Sequence, residues 1–105
     1  MTTIAITPAA PIAVTSACRV DVTDAPVNDA TAYDASKYPS EPAILYYLSF
    51  ERTGSDTGKS QAFQPAADGS FTFNSYIFPD AGSWTVHLRK VSDDSSVAQT
   101  SVTVS

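Results

Sequence analysis

The sequence predicts an all-β protein, a sandwich of about seven short antiparallel strands. Apolar and polar residues alternate in several short segments, which is typical of strands with one buried face. Residues that favour turns separate these segments, and no segment shows the period of a helix. The 105 residues suit one domain, residues 1–105, with enough chain for a core that needs no disulfide.

The N-terminal segment alternates, with Ile4 and Ile6 on one face. Pro8 and Pro11 then interrupt the pattern. Because proline has no N–H to donate to a neighbouring strand, residues 1–14 are predicted to form an edge strand or an extended arm.

The next alternating segment places Cys18, Val20 and Val22 on one face and polar residues on the other. This pattern predicts a half-buried strand whose apolar side chains belong to the core. Cys18 is the only cysteine, so it has no partner for an internal disulfide. We expect its thiol to be a small buried group rather than a nucleophile, since apolar surroundings raise the pKa of a thiol.

Residues 24–42 show no period and contain three prolines and two tyrosines. A connection this long is uncommon in a compact domain, so it is either a functional loop or contains a short element that the pattern hides. Tyr33 and Tyr38 are candidates for contact with a partner, because tyrosine is enriched at interfaces. The alternative is that they cover the open end of the sandwich.

Acidic residues recur in the same loop at Asp24, Asp29 and Asp34, with Asp21 and Glu41 beside them. A flexible acidic loop can supply the oxygen ligands that calcium requires. The spacing fits no known calcium loop, however, and aspartate is also common in turns. Solvated turns are the favoured interpretation, and no metal or other cofactor is predicted.

Residues 43–52 form the most apolar segment and are predicted to be a central strand buried over much of both faces, with Leu48 in the core. Two further strands are predicted at 59–63 and 70–78. The second of these has three apolar residues on one face: Phe71, Phe73 and Ile77.

A long alternating segment ends at Lys90, and a last strand is predicted at 97–104. Trp84, Val86 and Leu88 lie on the face predicted to enter the core. His87, the only histidine, lies on the opposite face, where we expect it to be exposed to solvent.

The stretch Asp80-Ala81-Gly82-Ser83-Trp84-Thr85-Val86 resembles the D-x-G-x-Y-x-C motif of immunoglobulin-like domains. Trp84 stands where that family usually has tyrosine, and Val86 stands where it has a disulfide cysteine. The chain is therefore similar to the disulfide-free immunoglobulin-like domains of bacteria and viruses. The resemblance implies an immunoglobulin-like sandwich with Greek-key connections, but it does not define a function, because such sandwiches have many unrelated roles.

Charge and motifs argue against several classes of function. Eleven acidic residues against six basic ones give a net charge of −5, which is unfavourable for binding nucleic acid. The sequence contains none of the short motifs G-x-S-x-G, H-E-x-x-H or C-x-x-C, so an enzyme is not expected. No apolar run is long enough for a membrane-spanning helix, and the N-terminus lacks the features of a secretion signal.

Together these features predict a structural virion protein, assembled in the host cytoplasm, that decorates a bacteriophage capsid. Its expected partners are viral coat or tail proteins, with the arm and the long loop as candidate contact surfaces, and a trimer on the particle is one arrangement open to it. The alternatives are a phage tail accessory domain and a module that binds carbohydrate or a cell surface.

Overall fold

The computed structural model describes residues 1–8, 11–27, 44–53 and 57–105. These residues form an all-β protein, with seven strands in two antiparallel sheets that pack face to face, as predicted. The strands are β1 Thr3–Thr7, β2 Ala17–Thr23, β3 Tyr46–Arg52, β4 Thr57–Lys59, β5 Phe71–Ile77, β6 Gly82–Lys90 and β7 Ser96–Val104.

The first sheet has the strand order β1-β2-β5, and the second has the order β4-β3-β6-β7. The pairs β3–β4 and β6–β7 are neighbours both in sequence and within the second sheet. The chain changes sheet between β2 and β3, between β4 and β5, and again between β5 and β6. The chain therefore moves repeatedly between the two layers, and each layer contains strands that are distant in sequence.

The N-terminal residues contact both sheets. β1 is the edge strand of the first sheet and pairs with β2. After the two prolines the chain reaches the second sheet, where Ile12 forms a parallel bridge to Val104. The Ile12 N–H donates to the Thr103 carbonyl at 2.9 Å, and the Ser105 N–H donates to the Ile12 carbonyl at 2.9 Å. Of the two forms considered for this segment, the described residues adopt the edge strand.

The core lies between the two sheets and is built by alternate residues of the central strands. β2 contributes Cys18, Val20 and Val22, and all three side chains are buried. Phe71 and Phe73 of β5 are only half buried and pack against this core from one side. The second sheet supplies the larger buried residues Tyr46, Leu48, Phe50, Trp84, Val86 and Leu88.

Trp84 is the largest fully buried side chain and is 2% exposed. Its ring lies edge-on to Phe78, with the ring centroids 5.1 Å apart. Its indole N–H donates to the Asp80 carbonyl at 2.9 Å. The turn before β6 therefore satisfies the one polar group that this tryptophan brings into the core.

One predicted face was wrong because β5 contains a β-bulge. Cys18 pairs with Tyr76 and Val20 pairs with Phe73, so β5 has one more residue than β2 over this interval. An extra residue reverses the alternation of the strand beyond it. Tyr76 therefore packs against the core, and Ile77, predicted to point inward, is 52% exposed.

Two predicted boundaries also shift. The central strand begins at Tyr46 rather than at residue 43, and the strand expected at 59–63 is observed as β4, Thr57–Lys59. Phe63 lies beyond β4 but still forms a bridge to Tyr46. The segment after β4 thus follows β3 without forming a regular strand.

Gly69 is required by the turn that leads into β5. Its φ is +81°, a conformation that strains any other residue. A Cβ atom at this position would lie 2.7 Å from the Ala25 nitrogen, and it would contact the Ala25 carbonyl oxygen more closely still. The Ala25 N–H donates to the Gly69 carbonyl at 2.9 Å, so the two backbones are held together.

We expect Trp84→Ala to lower the free energy of unfolding by about 3–5 kcal/mol, because it removes a large buried side chain and leaves a cavity. Urea denaturation of the purified protein measures this change. Thr103→Ala, on an exposed position of β7, is the control and should change the value by less than about 0.5 kcal/mol. A loss of under about 1 kcal/mol for Trp84→Ala would contradict its place in the core.

We expect Gly69→Ala to destabilise the protein by more than about 1 kcal/mol, because the new Cβ meets backbone atoms in a backbone conformation with positive φ. Thermal unfolding followed by circular dichroism measures the loss. Gly58→Ala is the matched control, since its Cβ would be crowded mainly by the Tyr76 hydroxyl, at 2.9 Å. An equal effect of the two substitutions would argue against backbone strain as the cause.

Candidate functional site

The outer face of the second sheet carries a polar network, defined by Ser49, Glu51, His87, Arg89 and Ser96. These residues come from three adjacent strands, β3, β6 and β7. On β3 and β6 they alternate with the buried core residues, which places them on the face away from the core. The strand register then brings them together, since Ser49 pairs with His87 and Arg89 pairs with Ser96.

Glu51 is the centre of the polar network. The Ser49 hydroxyl donates to its Oε2 at 2.7 Å, and Arg89 donates to the same oxygen from Nε at 3.1 Å and from Nη2 at 2.9 Å. Burial alone would raise the pKa of Glu51. The hydrogen bonds from Ser49 and Arg89, together with the charges of His87 and Arg89, outweigh burial and hold the pKa below its usual range. Glu51 is therefore an ionised carboxylate whose Oε2 accepts hydrogen bonds from both Ser49 and Arg89.

His87 is packed within the polar network, and the expectation that it is solvent-exposed is wrong. Its side chain is 14% exposed, because neighbouring strands on both sides supply side chains that cover it. Its Nδ1 lies 2.9 Å from the Ser96 hydroxyl, and its Nε2 lies 3.9 Å from Glu51 Oε2. Burial lowers the pKa of His87. The nearby Glu51 raises it, while the positive charge of Arg89 lowers it further, and the net shift is downward.

Ser96, His87 and Glu51 follow one another in the order of a nucleophile, a base and an orienting acid, but their hydrogen bonds do not serve that chemistry. The single hydroxyl hydrogen of Ser96 is donated to the Ala98 carbonyl at 3.1 Å. The imidazole Nδ1 then acts as the donor to Ser96, and it cannot accept the proton of that hydroxyl. The 3.9 Å between His87 Nε2 and Glu51 exceeds a hydrogen bond. The contacts of this arrangement lie within the second sheet and join β3, β6 and β7.

The network also holds the turn between β6 and β7. Arg89 Nη1 donates to the Asp94 carbonyl at 2.9 Å, and the Tyr47 hydroxyl donates to the Asp94 carboxylate at 2.6 Å. This hydrogen bond to a carboxylate, reinforced by burial and by the charge of Asp94, raises the pKa of Tyr47. The Lys59 ammonium lies 5.4 Å from the centre of the Tyr47 ring, within range of a cation–π contact.

A second candidate site is a cleft on the side of the sandwich, between the segment after β4 and the first half of β5. We call it the β5 cleft. Its volume is about 520 Å³. Seven residues line it: Lys59, Ser60, Gln61, Ala62, Phe63, Phe71 and Phe73.

The walls of the β5 cleft are aromatic and well fixed. Phe63 and Phe71 stack with their ring centroids 3.6 Å apart and their planes 9° from parallel. Tyr46 and Phe63 exchange two backbone hydrogen bonds, of 2.8 and 2.9 Å, which hold the outer wall against β3. Lys59 is the one charged residue among those that line the cleft. The β5 cleft is thus largely aromatic, and the Lys59 ammonium lies over the Tyr47 ring.

Four of the six sequence-predicted interface candidates lie among the described residues. Pro8 and Pro11 are exposed, whereas Ile4 and Ile6 are half buried and pack against the core of their own domain. Tyr33 and Tyr38 lie outside the described residues.

Cys18 is buried, and that burial raises the pKa of its thiol, only partly offset by a hydrogen bond with the Tyr76 backbone. Such a thiol is poorly nucleophilic.

In the part of the chain that the structure describes, no group of three or more His, Cys, Asp or Glu side chains is arranged to hold a metal ion. Asp24 is described, and its carboxylate lies 3.7 Å from the N-terminal ammonium group. Asp29, Asp34 and Glu41 of the acidic loop lie outside the described residues. Within the same described ranges, no helix is long and apolar enough to cross a membrane.

Two features of the candidate sites were not predicted from the sequence. The alternation of residues 46–52 indicated that Ser49 and Glu51 lie away from the core, but their contact with His87 and Arg89 depends on a pairing register that the sequence does not state. The β5 cleft depends on Phe63, which lies outside any regular strand. Apart from the apolar side chain itself, nothing in the sequence indicated where Phe63 would pack.

Comparison with known proteins gives no family for this chain. The sequence matches no protein-family model, and no curated protein is significantly similar to it. A functional argument therefore depends on the geometry of the two sites and on the motif at Asp80–Val86.

We expect the free energy of unfolding to fall as the pH is lowered from about 7 to about 5, because of His87. Its pKa is lowered in the folded protein, so over this interval the unfolded chain binds more protons and acid favours unfolding. His87→Gln, which keeps a donor for Ser96, should give a flatter dependence when urea unfolding is measured across these pH values.

Between about pH 7 and about pH 5, the effect of His87 on stability can be separated from the effects of its neighbours. His87 is the only histidine in the chain, and the lowered pKa of Glu51 places the loss of that carboxylate's contribution at more acidic pH. Equal slopes for the wild type and His87→Gln would show that His87 does not resist protonation in the folded state.

Proposed function

We propose that this chain is a non-enzymatic structural protein of a bacteriophage virion that decorates the capsid, where it binds and stabilises the coat lattice. The observation that carries the proposal is the edge of β5, which has no strand beside it in the part of the chain that the structure describes and offers a surface for contact with another protein. The expected location is the virion, after assembly in the host cytoplasm.

The four sheet edges differ in how they are protected against pairing with another chain. β1 is followed by Pro8 and Pro11, and the edge at the end of β7 is covered by Ile12. β4 is only three residues long and ends in Lys59. Short strands, prolines, lysines and covering segments are the usual means by which proteins prevent edge-to-edge association.

β5 and the greater part of β7 have less protection than β1 and β4, because neither strand contains a proline or a charged residue and Ile12 bridges only the end of β7. β5 is seven residues long and has β2 as its one strand neighbour among the described residues. Its bulge disrupts the edge near one end but leaves the half that adjoins the β5 cleft regular. An open edge of this kind can serve as a site of protein–protein contact.

The resemblance to disulfide-free immunoglobulin-like domains supports the virion setting. The strand orders β1-β2-β5 and β4-β3-β6-β7 are compatible with an immunoglobulin-like sandwich of Greek-key type. Trp84 and Val86 are buried at the motif positions, and Cys18 is a free thiol in the same core. A domain that needs no disulfide suits assembly in a reducing cytoplasm.

The contacts of the polar network support a binding role over catalysis. Glu51, His87 and Ser96 each have partners within the sheet, and the hydrogen of Ser96 is directed away from His87. The carbohydrate-binding alternative gains little from the structure, because the sole tryptophan is in the core and is not available for stacking on a sugar ring.

We expect the purified protein to co-sediment with capsids that lack it, taken from the phage whose genome encodes the chain, and to saturate at a fixed ratio to the coat protein. Decorated capsids should withstand heating better than bare ones, because each bound copy links neighbouring coat subunits. Sedimentation through a sucrose cushion followed by gel densitometry measures the ratio.

Isolated tails of the same phage are the control particle. Binding to tails but not to capsids would move the proposal to the tail accessory role and overturn the capsid assignment. Binding to neither particle would overturn the virion proposal as a whole.

A further inference from the structure

We propose that Asp68 is a site of isoaspartate formation, and that Ser70 restrains this reaction in the folded protein. In isoaspartate the main chain runs through the side-chain carboxyl carbon of the aspartate instead of through its α-carbonyl carbon. Both residues lie in the segment that leads into β5. The inference is independent of the proposed virion role, because it concerns the chemistry of this turn alone.

Asp68 has the neighbour that this reaction needs. The reaction begins when the amide nitrogen of the following residue reaches the side-chain carboxyl carbon of the aspartate, and a side chain on that residue obstructs the approach. Gly69 has no side chain, and it is the only glycine in the chain that follows an aspartate or an asparagine. Asp68 is also exposed, so the water that the second step consumes can reach it.

The reaction needs no reagent other than water. The lone pair of the Gly69 nitrogen forms a bond to Asp68 Cγ, and the carboxyl hydroxyl leaves with the amide hydrogen as one molecule of water. A water molecule then adds to the resulting cyclic imide. Attack at the α-carbonyl carbon breaks its bond to the Gly69 nitrogen and gives isoaspartate, whereas attack at Cγ restores aspartate. The overall change is an isomerisation in which nothing is oxidised or reduced.

Ser70 holds the Asp68 carboxyl group in its unreactive form. The Ser70 hydroxyl donates to Asp68 Oδ1 at 2.6 Å, and the backbone N–H of Ser70 donates to the same oxygen at 3.0 Å. These hydrogen bonds lower the pKa of Asp68, which is therefore ionised at neutral pH. An ionised carboxylate lacks the hydroxyl that leaves as water, so the protonated acid is the form that reacts. Loss of the Ser70 hydroxyl should therefore favour the reaction.

The attacking nitrogen of Gly69 is also restrained. Its N–H donates to the Ala66 carbonyl at 2.8 Å, which closes the turn, and the Gly69 carbonyl accepts from the Ala25 N–H at 2.9 Å. The nitrogen of a cyclic imide carries no hydrogen, so the bond to Ala66 is lost when the imide forms. The fold thus holds both reacting groups of the turn, and the turn must open before they can react.

Isoaspartate is incompatible with the packing of this turn. It lengthens the main chain between Asp68 and Gly69 by one carbon atom. The backbone of Gly69 lies so close to Ala25 that an added Cβ atom would lie 2.7 Å from the Ala25 nitrogen. Because this side of the turn has no free space, we expect the modified protein to unfold at a lower temperature than the unmodified protein.

Peptide mapping of the purified protein after storage for several weeks at neutral pH tests the inference. Trypsin releases residues 60–89 as one peptide, which also contains Asp80, followed by alanine, as an internal reference. Isoaspartate is detected by enzymatic methylation of its free α-carboxyl group and is located by electron-transfer fragmentation. We expect it at Asp68 and not at Asp80, and we expect Ser70→Ala to accumulate it at least about threefold faster than the wild type.

Two controls separate the contacts of Ser70 from a general loss of stability. Ser101→Ala makes the same substitution at an exposed position of β7 and should leave the rate at Asp68 unchanged. In urea, the wild type and Ser70→Ala should form isoaspartate at the same rate, and faster than the folded wild type, because the restraining contacts belong to the fold. Thermal unfolding checks that both variants are folded at the storage temperature.

Absence of isoaspartate at Asp68 in the unfolded chain would overturn the assignment of the site itself. Equal rates for the folded wild type and folded Ser70→Ala would overturn the role of Ser70, and so would a folded wild type that reacts as fast as the unfolded chain. None of these results bears on binding to a phage particle, so the proposed function stands or fails separately.

Discussion

Inward and outward side chains alternate along β6, so this strand contributes to both faces of the second sheet. Most of the structure depends on this alternation. Its inward residues, Trp84, Val86 and Leu88, form the centre of the core. Its outward residues, His87 and Arg89, lie beside Glu51 of β3 because the same strand pairing fixes both sets. A shift of one residue in this pairing would expose the core residues and bury the charged ones, so core and polar network stabilise a single register. No disulfide links the two sheets, so their association depends on the packing of these core side chains against those of the first sheet.

The sequence predicted those features that depend on one strand at a time. The alternation around Trp84, the buried strand at Cys18 and the central strand with Leu48 needed only the spacing of apolar residues. Features that depend on two strands could not be predicted in this way. Ile77 was placed on the wrong face because a bulge is defined by the partner strand, and the cover over His87 comes from side chains on β3 and β7. The β5 cleft required the position of Phe63, which lies outside any regular strand.

The two candidate sites differ in what they leave unsatisfied. The polar network is complete, since the Glu51 carboxylate and the His87 ring already have partners within the sheet. At the β5 cleft, partly exposed aromatic surface lies beside a strand edge that has no partner among the described residues. Binding energy comes from groups that lack partners in the free protein. The β5 cleft is therefore a better candidate for a binding site than the surroundings of His87.

The parallel bridge between Ile12 and Val104 has a mechanical consequence. It joins Ile12, in the segment that follows the first strand, to the end of the last strand, with hydrogen bonds on either side of Ile12. A force that pulls the first and last residues apart would load these bonds together, along the strand direction, instead of opening them one after another. These bonds would then resist extension together, so this contact would be mechanically stronger than one whose bonds open in turn.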